Sequence, residues 1–221
     1  MVDVRVTLKA LVVLLAAGYV TSPAPAAAQG AMPAPPGEGA PAWPDADAAP
    51  RGEPGAAPPE PLPDDPDALL DMLAAEADPV EAGRLAREIE ERWSHSGSDA
   101  IDLLLVRGRA AIEAGDLPRA VAHLTALTDH APGFAAGWNA RAEAFFLLER
   151  PGAALADLEQ VLILEPRHFG ALAGVGIVLD QLDRPEAALR AFRRAQEVYP
   201  AEENVAAAVA RLEVQTGGRT L

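Results

Sequence analysis

The chain has no cysteine in its 221 residues, a single lysine, four histidines and ten aromatic residues. Without cysteine there is no disulfide, no thiolate metal site, no cysteine nucleophile and no lipid-modified cysteine anchor. Basic residues are also short, 18 against 33 acidic ones for a net charge of −15. That balance argues against nucleic acid or an anionic membrane as the main partner. Half of the residues are hydrophobic although few are aromatic, so alanine and leucine must build the core. Both stand near the top of the helix-propensity order, and an all-α fold is expected.

The first segment, 1–28, has the layout of a secretory signal. Arg5 and Lys9 precede an apolar run from Ala10 to Val20, and small residues follow up to Ala28. An uncleaved membrane helix is the alternative. Eleven residues of helix cover roughly 16 Å, about half of a ~30 Å hydrocarbon layer, so cleavage and export to a bacterial periplasm are expected. No membrane span then remains. Residues 29–66 hold 12 prolines, nine alanines and five glycines, with a charge of −6. Proline removes backbone donors, and too few large apolar groups are present to offset chain entropy, so a disordered linker is expected. A ligand for a proline-recognising groove is the weaker alternative.

Beyond the linker only seven prolines remain. Pro132, Pro166 and Pro200 stand 34 residues apart, and Pro118, Pro151 and Pro185 follow at 33 and 34. Two series in step mark internal repetition, with units 101–134, 135–168 and 169–202. Each reads as two amphipathic helices. In the second unit Trp138, Ala142, Phe145 and Leu148 share one face, and Ala154, Leu158 and Val161 share another. A helix pair cannot bury its stripe alone, so the units must stack. Residues 203–221 supply a capping helix and tail, striped by Val205, Ala208, Val209 and Leu212. Residues 67–100 form a helical hairpin, opened by Asp65-Pro66 and Asp78-Pro79 as N-cap and first helical residue. It is expected to be a degenerate repeat or N-terminal cap.

The pattern Trp138, Arg141, Ala142, Phe145, Ala154, Leu158 and Pro166, echoed from Leu104 to Pro132 and from Leu172 to Pro200, resembles the tetratricopeptide repeat family. Its departures are arginine at 107 and 141, where an apolar residue is expected, and Ala111 for an aromatic. The resemblance implies a helical-hairpin solenoid of three repeats whose first helices line a concave groove. On this chain the groove positions include Leu105, Val106, Arg109, Ile112, Asn139, Glu143, Phe146, Ala173, Ile177 and Asp180. Relatives that hold chaperone C-terminal carboxylates use a clamp of lysine, arginine and asparagine. Here Leu105, Ala140, Gly170 and Gly174 occupy clamp-equivalent positions, so that clamp is absent.

Nothing in the sequence carries catalysis. His123 and His130 share a helix face but lack a converging carboxylate, so no metal is expected. Acidic doublets such as Glu90/Glu91 and Glu202/Glu203 are adjacent and do not share a helical face. Gly170, Gly174 and Gly176 lack the lysine and hydroxyl of a phosphate loop. The expectation is therefore a non-enzymatic scaffold or adaptor of the cell envelope, without cofactor, holding a peptide or helix of a protein partner in the groove. A chaperone-like periplasmic assembly factor and an accessory subunit of an envelope enzyme complex are the alternatives. In a three-repeat groove the capping helices could also fill the space themselves.

Overall fold

Helical periodicity broken by proline gives nine α-helices among the described residues of the computed structural model, which are Leu62, Pro63 and Asp65–Gly217. In chain order they are α1 Pro66–Ala75, α2 Pro79–Trp93, α3 Asp99–Glu113, α4 Leu117–His130 and α5 Ala135–Leu147. They continue with α6 Pro151–Leu164, α7 Phe169–Gln181, α8 Pro185–Val198 and α9 Glu203–Gly217. The signal segment 1–28, nearly all of the linker 29–66 and the last four residues lie outside the described residues. No described helix is long and apolar enough to cross a membrane.

Local chemistry sets the boundaries. Proline stands in the first turn of α1, α2, α4, α6 and α8, where its missing N–H leaves no bond unmade. Asp65, Asp78 and Asp116 cap their helices by accepting from the backbone N–H of Asp67, Val80 and Arg119 at 3.2, 2.9 and 3.3 Å. At the far end, α4, α6 and α8 stop at Ala131, Glu165 and Tyr199, whose ψ values of 66°, 84° and 79° have left the helix. Each precedes one of the prolines spaced by 34, and proline pushes its predecessor out of the helical region. The turns inside the repeats are periodic too. Gly115, Glu149 and Asp183, again 34 apart, hold φ of +73°, +58° and +54°. Glycine adopts this left-handed conformation freely, whereas Glu149 and Asp183 each bear a steric cost of roughly 1–2 kcal/mol.

The helices pair as α3/α4, α5/α6 and α7/α8, and each pair stacks on the next through α4/α5 and α6/α7, with α9 closing on α8. A core of Leu105, Ala111, Ala120, Leu124, Leu127, Ala136, Ala140 and Ala144 crosses from the first repeat into the second. Small residues set the spacing. A Cβ at Gly108 would lie 2.5 Å from the Leu124 side chain, and one at Gly176 only 2.8 Å from the Phe192 ring.

The N-terminal hairpin, expected to be a degenerate repeat or an N-terminal cap, leaves part of the outer face of α3 open. A cap would cover the outer face of α3, yet Leu103 and Val106 there are 47 and 61% exposed. Their equivalents in the later repeats, Gly137, Ala140 and Ala171, are buried under the preceding unit. Instead α1 and α2 turn back over the repeats, and α1 packs against α8. The turn is fixed by Ser96, whose N–H and hydroxyl both donate to Asp102 Oδ1 at 2.8 and 2.6 Å. Trp93 explains the destination: it finds aromatic partners at the start of α7, which the aliphatic face of α3 lacks.

Candidate functional site: the repeat groove and its helical occupant

Arg109 on α3 and Glu143 on α5 hold the same register position in consecutive repeats, 34 residues apart. Glu90 of α2 meets Arg109 from the other side. Arg109 Nη1 donates to Ser94 Oγ at 3.1 Å, which pins the end of α2 over the middle of α3. The two carboxyls are half-buried. Burial pushes Glu143 up to about 7, with Arg109 opposing and Glu113 adding to the rise. Burial likewise pushes Glu90 up to about 7; Arg109 and Arg87 oppose it, and Glu202 adds to it. Crowding by protein lowers Arg109 from its ordinary value, against the pull of Glu143, Glu90 and Glu113. Its side chain nevertheless reaches solvent, so the guanidinium stays charged. The result is a wet cleft with one fixed cation between carboxyls that readily take up protons.

Beside this cleft lies an aromatic seat. The Trp93 ring stacks on His168 with centroids 4.2 Å apart and planes 18° from parallel, and it meets Phe169 at 5.5 Å. Phe169 in turn meets Tyr199 edge-on at 5.5 Å. His168 is the N-cap of α7: its Nδ1 accepts from the Ala171 N–H at 3.1 Å, which places the acceptor nitrogen there. Burial lowers its pKa to about 4, so the ring is neutral at ordinary pH. A Cβ on Gly83 would pass 3.8 Å from the Tyr199 hydroxyl. Arg167 Nη2 reaches Asp71 of α1 at 2.8 Å, in an exposed pair.

A second polar network lies inside the repeats. Arg141 makes a two-pronged pair with Asp157, both bonds 2.8 Å, and also donates to Thr128 Oγ1 at 2.8 Å. Its guanidinium lies 4.8 Å from the Trp138 ring centroid. The arginine that stood out in the repeat pattern therefore joins α4, α5 and α6, whereas Arg107, the other departure, is exposed.

The residues assigned to the groove separate into groups. Arg109, Asn139, Glu143 and Asp180 are the polar ones, and of these Arg109 faces the α2 end. Leu105 belongs to the core between repeats, with Ile112 packed against it, and Phe146, Ala173 and Ile177 are buried. Asp180 is engaged by the C-terminal helix, accepting from Arg211 Nη2 at 2.6 Å. Val106 lies on the open end of the solenoid. Its register equivalent Gly174 faces Leu158 of the preceding repeat, whereas Val106 itself is 61% exposed. Glu90, Trp93, His168 and Tyr199 complete the site and were absent from the sequence assignment. Among the described residues no group of three or more histidine, aspartate or glutamate side chains converges to hold a metal ion.

Comparison with known proteins agrees with this architecture. A family model described as tetratricopeptide repeat matches residues 105–157 and 148–203. A TPR repeat-containing protein of Rhizobium etli is 36% identical over 155 residues, which cover 70% of this chain and 76% of the relative. Among solved structures, the Arabidopsis OM64 TPR domain is similar in fold, with a TM-score of 0.52 and 23% identity over 53% of this chain and 97% of that one. The first TPR of Spaghetti (RPAP3) bound to an HSP90 peptide gives a TM-score of 0.53 and 20% identity, covering 54 and 95%. The chain, whose helical hairpins stack one on the next over the matched residues, belongs to the tetratricopeptide repeat family.

Proposed function

We propose that this chain is an exported, non-catalytic scaffold of the bacterial cell envelope that holds a helix or peptide of a protein partner in its groove. The observation that carries the reading is the groove itself, whose Arg109 already meets a helix, α2, from the same chain, bonding Ser94 at its end and facing Glu90. Burying an amphipathic helix against a concave helical surface is a recurrent mode of protein recognition. The neighbour bound to an HSP90 peptide supports peptide binding as a use of this fold. A carboxylate-ended ligand of that kind is not expected here, because Leu105, Ala140, Gly170 and Gly174 stand at the clamp positions that the family resemblance assigns. Support for export comes from the segment 1–28 alone.

The test is recovery of the chain from its native cell. An N-terminus at Gln29 and a stoichiometric envelope protein bound to the chain are expected. A chain that retains residues 1–28, or one recovered without any protein partner after crosslinking, contradicts the proposal.

A further inference from the structure

The seat of α2 is an interaction surface whose preferences can be read from the segment now on it. It draws on all three repeats: Arg109 from the first, Arg167 and His168 from the end of the second, Phe169 and Tyr199 from the third. Each takes a distinct feature of the hairpin. The aromatic group accepts the flat ring of Trp93 at the last residue of α2. The Tyr199 hydroxyl lies near Gly83, ten residues earlier, within ordinary contact of a Cβ placed there. Between them Ala82, Leu85, Ala86 and Ile89 form a buried stripe.

The hairpin is held mainly by apolar burial, with Leu69, Leu73, Leu85 and Ile89 fully covered, and its polar ties to the repeats are weaker. The Arg167 pair with Asp71 is exposed and contributes little to holding α1. Residues 94–98 link α2 to α3; exposed Gly97 sits there at φ +79°, and release of the hairpin must break the bonds of Ser94 to Arg109 and of Ser96 to Asp102. Docking also buries the Glu90 carboxyl, a cost that Arg109 opposes more strongly than Glu202 adds to it.

We infer that α1–α2 is an exchangeable occupant of a helix-binding seat, and that the partner this seat fits is an amphipathic helix with an aliphatic stripe ending in an aromatic residue. Such a helix takes the place of α2 and releases the hairpin around residues 94–98. Because the seat is free only when the hairpin is out, the apparent affinity for the partner is reduced by the docked fraction. This inference rests on the reading of the chain as a protein-binding module, but its mechanism is tested without any cellular partner.

Hydrogen exchange on the full chain is the first measurement. Amides of α1 and α2 are expected to exchange well before those of α5 and α6; equal protection overturns the inference. The second uses a labelled synthetic peptide of residues 65–95 as probe. The full-length Trp93→Ala chain is expected to bind it about tenfold more tightly than the unmodified chain, because the seat is vacated. The same peptide carrying Trp93→Ala should bind neither. A well-folded Trp93→Ala chain that takes the peptide no more tightly overturns the proposal. If that variant loses helicity, Gly83→Leu, which drives a side chain toward Tyr199, must give the same gain. Failure of these readouts removes the exchange mechanism and leaves the partner reading standing. Free exchange in a chain that captures no partner in its cell removes the partner reading alone.

Discussion

The Arg141–Asp157 pair is where one residue matters most to stability. Asp157 is 4% exposed, and its two oxygens are matched by the guanidinium, whose third nitrogen, Nη1, donates to Thr128 and Thr125. Removing one partner leaves the other charge buried without compensation. Asp157→Ala is therefore expected to cost about 3–5 kcal/mol in urea unfolding. Replacing both with leucine should recover much of that loss, since a packed apolar pair avoids the desolvation. A small effect of Asp157→Ala alone would contradict the pairing. In the sequence Arg141 was visible only as a departure from the repeat pattern. Asp157 lies 16 residues on, next to inward-facing Leu158, and that position was the available sign of its partner. His168 was harder to read, because helix N-caps are usually serine, threonine, aspartate or asparagine.

At the scale of the element, proline spacing and the aspartate caps made the repeats and the hairpin legible. Each proline acts on its immediate neighbour, so its effect can be read locally. Where the hairpin docks could not be read, because it depends on Trp93 meeting His168 and Phe169 some 75 residues away in sequence. The junction is expected to respond to pH. Glu90 and Glu143 are raised from 4.5 to about 7 in the folded chain. The folded state thus holds protons that the unfolded chain releases between those values. Their contribution is fully present below pH 4.5 and is lost as pH rises through about 7. His168, lowered from 6.5 to about 4, runs the opposite way: its contribution is present above pH 6.5 and lost as pH falls toward 4. Comparing Tm with a Glu90→Gln/Glu143→Gln variant cancels the histidine. From pH 5 to 8 the unmodified chain should lose stability relative to the variant, and parallel curves would contradict the assignment.

On the scale of the whole molecule, acidity and binding surface are separated. The linker 29–66 and the hairpin 67–100 carry −6 each, while residues 101–221 carry only −4. The repeats are therefore no general collector of basic partners, and recognition rests on shape and apolar contact with a few polar marks. Two faces compete for the partner: the groove around Arg109 and Glu143, and the open end of the solenoid at Leu103 and Val106. The groove is built from several repeats and already seats a helix, whereas the open end offers one unbacked stripe of α3. Photo-crosslinking in the native cell separates them most directly, with the reactive residue placed in turn at 143, at 106 and at 163, where Ile163 is 63% exposed on α6. A partner captured from position 143 and not from 106 or 163 is the result expected of a groove-binding scaffold; capture from 106 or 163, with position 143 silent, would contradict it.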